Sequence, residues 1–103
     1  MITQRLSEFE PTEQAINNYF YYRDRMDGLM LQKHGNVYDV LDKDAEIVNE
    51  ICEGIIIHNM LPIRKSSSPL YTHTVVTFVS IPEETLSKNL GLLLKEGFKI
   101  AII

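Results

Sequence analysis

A single cysteine, Cys52, stands in the chain, so neither an internal disulfide nor a zinc site of paired thiolates can form. No apolar run approaches the length of a membrane span, and the polar, acidic opening Met1 to Glu10 is unlike a signal peptide. Together these absences set a cytoplasmic location and no membrane partner as the expectation. Positive charge is also short. Ten Lys and Arg against 14 Asp and Glu leave a net charge of -4. An autonomous nucleic-acid binder usually carries a basic face, because its affinity comes largely from counterion release at phosphates. No glycine precedes Lys-Ser or Lys-Thr, so a Walker-type phosphate loop is missing. His34, His58 and His73 lack the His-x-x-x-His pairing and the carboxylate spacing of a metal site, and no metal is expected.

What is present is an ordinary globular composition, 45% hydrophobic and 23% charged over 103 residues. A chain of this length buries enough surface to fold as one domain without staples. No repeat, low-complexity stretch or internal linker interrupts it. Residues 1–11 read as a lead-in arm and residues 12–103 as the domain.

Hydrophobic periodicity then predicts the elements. Thr12 caps a helix on which Ile16, Tyr19, Phe20, Arg23 and Met26 recur at helical spacing, and Asp27-Gly28 ends it. Leu29 to Lys33 is a short strand, Gly35-Asn36 a two-residue hairpin connection, and Val37 to Leu41 the return strand. Alternation places Val37, Asp39 and Leu41 on one face of that strand, with Tyr38 and Val40 on the other. Asp42 reads as the cap of a second helix with a stripe of Ala45, Val48, Ile51, Cys52 and Ile55, Gly54 lying near its end. Ile55 to Ile57 continues as a strand that runs out by Pro62. Arg64 to Pro69 is a polar loop, and the β-branched stretch Thr72 to Val79 a central strand. Ser80-Ile81-Pro82-Glu83 has capping-box spacing ahead of a third helix that buries Leu86, Leu90, Leu93 and Leu94. Gly97 closes that helix before a final strand, Phe98 to Ile103. The alternation implies an α/β (α+β) fold, a small mixed sheet of about five strands covered by about three helices.

The ordered pieces resemble the N-terminal domain, domain I, of the MutS mismatch-repair family. They are Thr12, the strand Leu29 to Lys33, Gly35-Asn36-Val37-Tyr38-Asp39, Asp42-Lys43-Asp44-Ala45, Ile81-Pro82, Leu90, Gly97 and Ile100-Ala101-Ile102. The resemblance runs from about Thr12 to the last residue, and it implies that family's fold and a duplex-DNA ligand, with a nucleoid association to match. ATP and Mg would enter only through an ATPase domain of a longer parent protein, so no cofactor is expected in this chain. In the family, an aromatic-x-acid motif enters the minor groove at a mismatch. The matching positions hold Val37 and Asp39. Aromatic stacking on a base is worth about 1–3 kcal/mol, which valine, without a π-face, cannot supply. Asp39 keeps the carboxylate with one methylene less reach. The resemblance therefore implies a non-catalytic DNA-binding module with weakened or absent mismatch reading.

Arg64, Lys65 and Ser66, with Ser67 and Ser68, are candidate phosphate contacts, and Lys33 and His34 beside the hairpin add to such a face. A solvated loop is the plainer use of the same residues. The run Tyr19 to Tyr22 spreads around a helix and suits packing better than base stacking. Cys52 suits a buried position, and the acids at helix starts suit the helix dipole, so no catalytic residue is assigned. Partners are then duplex DNA and the other domains of a MutS-like protein, or a second copy of the chain. The rival function is a protein-interaction domain of the same fold that docks through its final apolar strand.

Overall fold

The computed structural model of the chain describes residues 11–59, 61–64 and 73–103. Its elements are α1 (Glu13–Arg23), β1 (Leu29–His34), β2 (Val37–Leu41), α2 (Asp42–Ile51), β3 (Ile56–Ile57), β4 (Leu61–Arg64), β5 (His73–Val76), β6 (Phe78–Pro82), α3 (Glu83–Lys95) and β7 (Ile100–Ile102). Five strands form one sheet in the order β3-β6-β2-β1-β7, antiparallel except where β7 runs parallel to β1, and β4 and β5 form a separate ribbon. The fold is the mixed α+β one that the sequence pattern predicts.

The sheet is covered on both faces. Leu29, Leu31, Tyr38, Val40, Val79 and Ile81 pack beneath Ala45 and Val48 of α2 and Leu93 of α3. On the opposite face Met30, Leu41 and Phe78 pack with Tyr19 of α1 and with Val76. Strand alternation produces this division, since consecutive side chains point to opposite faces. Every residue of β2 is accordingly buried.

Several boundaries differ from the sequence expectation, each for a local reason. Thr12 does cap α1, its Oγ1 accepting from the Ala15 N–H at 3.1 Å, but the helix ends at Arg23 and leaves Met26 outside it and exposed. Asp42 caps nothing with its side chain. It is the first residue of α2, holds φ +61°, and its N–H donates to the Thr77 carbonyl at 2.8 Å. Asp is among the few non-glycine residues that tolerate this left-handed region. Of the expected strand 72–79, Thr72 lies outside the described residues, and residues 73–79 are not one strand. The stretch breaks at Thr77, whose carbonyl is turned toward Asp42, so β5 joins the ribbon and β6 the main sheet. Ser80 is no cap either, because β6 stays paired with β2 through Pro82 opposite Val37. Leu94 is exposed on α3, whereas Leu86, Leu90 and Leu93 reach the core. Arg64 ends β4 rather than starting a loop, while Lys65 to Pro69 and residues 1–10 lie outside the described residues.

Candidate functional site

The hairpin of β1 and β2 closes on the pair His34–Val37, with Gly35-Asn36 as the connection. Gly35 takes φ +61°, which glycine adopts at little cost and which a two-residue turn places at its first position. The tip is anchored. The Asn36 carbonyl accepts the first N–H of α3, from Glu83, at 3.0 Å, so the turn satisfies one of the helix's otherwise unpaired donors.

Gln32 and His34 of β1, Val37 and Asp39 of β2, and Ser80 of β6 follow Met30, Leu41 and Phe78 along the same sheet face. The apolar half of that face meets Tyr19. The half nearer the hairpin is polar. Ser80 Oγ donates to Asp39 Oδ1 at 2.7 Å, and His34 Nδ1 lies 2.9 Å from Asp39 Oδ2. His58 Nε2 lies 2.8 Å from Ser80 Oγ, its ring stacked on Phe78 with centroids 4.0 Å apart. With Asp39 ionised, the carboxylate can only accept, so Ser80 and His34 give it their protons and Ser80 is left to accept from His58. Burial pushes the Asp39 carboxyl above the usual carboxylate range, against the opposing bonds of Ser80 and His34. The order Asp–Ser–His is not that of a nucleophilic triad, in which the imidazole stands between acid and hydroxyl. Beside this network the Gln32 Nε2 donates to the Ala15 carbonyl at 3.1 Å, while its Oε1 is buried without a partner.

The residues expected to contact a ligand are thus only partly brought together. Val37 and Asp39 share a face, 9% and 2% exposed. Lys33 is exposed beside them but pairs with Tyr38 and projects to the other face. Arg64 belongs to the ribbon, opposite His73, and Lys65 and Ser66 fall outside the described residues. Ser80 and His58 were not legible as site residues. A buried acid on the Leu41 face demands partners, but the strand that supplies Ser80 is distant in sequence, and its serine imitates a helix cap.

A second polar centre lies at the other end of the sheet. Asp44 of α2 is bonded by Arg23 Nε of α1 at 2.9 Å and by the Met30 N–H at 3.1 Å. The Tyr19 hydroxyl donates to the Met30 carbonyl at 3.0 Å and lies 3.5 Å from the same Asp44 oxygen. A half-open cleft of about 270 Å³ beside it is lined by Tyr19, Phe20, Arg23, Asp24, Leu41, Asp42 and Lys43. Its two cations and two acids oppose each other and favour no ligand charge. Cys52 is buried, its thiol pushed up to about 11 by desolvation, so it is a poor nucleophile at neutral pH. Among the described residues no three His, Cys, Asp or Glu side chains group as a metal ion requires, and no helix is long and apolar enough to cross a membrane.

The family model for MutS domain I matches residues 14–103. No curated protein matches the chain.

Proposed function

The chain belongs to the MutS domain I family, and from that premise we propose that it is a non-catalytic module contacting duplex DNA with weakened or absent mismatch reading. The hairpin end of the sheet is its DNA side. Val37 and Asp39 are the groove-side residues of β2, Lys33 and the Arg64, Lys65, Ser66 stretch its backbone contacts, and the chain needs no cofactor of its own.

One observation carries the weakened reading. Both carboxylate oxygens of Asp39 are engaged within the protein, by Ser80 and His34 at 2.7 and 2.9 Å. A base amine would have to displace one of these bonds to reach the acid, and Val37 offers no ring to stack on it. Fluorescence anisotropy with a labelled duplex, matched or carrying one central mismatch, tests the proposal. We expect equal, salt-sensitive affinities for the two duplexes, with Val37→Phe shifting preference toward the mismatch by about fivefold or more, the scale of one recovered stack. Strong mismatch preference in the unaltered chain would refute the weakened reading. No binding at low salt would remove the DNA reading itself.

The rival, protein interaction, draws on β7. Among the described residues this strand stands at the sheet edge, paired only with β1, and its Ile102 is 47% exposed. Such an edge can accept a further strand. Sedimentation showing a monomer that binds duplex would argue against it.

A further inference from the structure

We propose that His34, oriented by Asp39, is the group through which the hairpin contacts a backbone phosphate of duplex DNA, as an imidazolium. The inference deepens the duplex-binding reading above and depends on it.

Geometry singles out this ring. His34 closes the hairpin opposite Val37, so it shares the face and the end of the sheet assigned to DNA. Its Nδ1 is taken by Asp39 at 2.9 Å, and its side chain remains 34% exposed. Its Nε2 makes no hydrogen bond to any described residue and is not a buried orphan. The carboxylate fixes the tautomer, with the proton on Nδ1 and the free Nε2 turned from Asp39. Ser80 holds that carboxylate from behind at 2.7 Å, and the Glu83 N–H holds the turn at 3.0 Å. The ring is therefore pre-oriented before any ligand arrives.

Protonation converts Nε2 from an acceptor into a charged donor. A phosphate oxygen is the duplex group that gains most from such a donor, because the bond is charge-assisted and releases a counterion. In a chain of net charge -4, one added cation at the contact weighs more than it would on a basic surface. Charged and titratable groups of the described residues stand around the ring. β2 presents Asp39, β1 carries Lys33 next to it, and β6 presents Ser80 with His58 behind. α1 reaches this end through the Ala15 carbonyl bonded to Gln32, with Glu13 the acid of its first turn. Asp39 is thus a positioning residue and His34 the contacting one.

The test is anisotropy of a labelled, fully matched duplex with the full chain at about pH 6 and about pH 8, across the range in which an ordinary imidazole titrates. We expect about five- to tenfold tighter binding at the lower pH, and a salt dependence steeper by about one phosphate contact. His34→Gln should abolish this pH response, while Lys33→Gln should keep it and weaken binding at both pH values. In parallel, imidazole NMR of the unaltered chain should show the His34 titration moving to higher pH when duplex is added. A His34→Gln protein that keeps the full pH response, or a His34 titration unmoved in the bound complex, would overturn the assignment while leaving duplex binding intact. Failure of the unaltered chain to bind duplex at either pH would overturn both readings.

Discussion

Two aspartates of this domain are buried to the same degree and paired with equally exposed partners, yet they do different work. Asp44 and Asp39 are each 2% exposed, and Arg23 and His34 each 34%. Burial pushes both carboxyls upward. What differs is the partner. Asp44 faces a guanidinium that carries its charge at every relevant pH, with a backbone N–H and a tyrosine hydroxyl closing the shell, and it locks α1 to α2 and β1. Asp39 faces an imidazole, a ring with a neutral and a charged form, and a serine that can reorient its proton. The first arrangement is a fixed tie. The second joins two side chains beside the hairpin turn, on the side that the proposed function gives to DNA.

Replacing the fixed tie should have the largest effect. Asp44→Ala strands the Met30 N–H and leaves Arg23 without its counter-charge, and should cost about 3 kcal/mol in urea unfolding, the low end for a broken buried pair because Arg23 is partly exposed. A loss below about 1 kcal/mol would mean that Asp44 contributes no more than one ordinary hydrogen bond.

Asp39→Asn comes next, at about 1 kcal/mol near neutral pH, since the amide still serves Ser80 and a flipped His34 tautomer. Its pH dependence is the sharper probe. A carboxyl whose folded pKa is raised contributes stability that is complete below the unfolded value and is lost as pH rises through the folded one. The original chain should therefore lose its advantage over the Asn variant as pH rises from the ordinary carboxylate range. An advantage that grows instead would show that Ser80 and His34 outweigh burial.

The exposed pair Lys88–Glu53, at 2.7 Å, sets the lower limit of the comparison. Its carboxyl is held below the ordinary value by Lys88, so any stabilisation is present above the ordinary carboxylate range and is lost as pH falls through the lowered value. Lys88→Gln should leave the unfolding midpoint unchanged within error while moving the Glu53 titration upward by NMR. A measurable midpoint shift would mean that solvent screens this pair less than its exposure implies.

Much of this architecture was legible beforehand. The strand periodicity of Val37 to Leu41, the glycine of the hairpin and the Thr12 cap are local features, set by steric and hydrogen-bonding rules that act over a few residues. They determined the α+β class and the face on which Asp39 lies. The partners of Asp39 were another matter. His34 could be reached by counting across a two-residue turn, but Ser80 lies 41 positions away and looked like a helix cap. Thr77 likewise broke an apparently continuous strand because a distant N–H, that of Asp42, claimed its carbonyl. Sequence alone thus determined the elements and their buried faces, because those follow from short-range periodicity. Only tertiary structure decided which polar groups meet inside, because a buried charge must be satisfied by whatever the folded chain brings within hydrogen-bond reach.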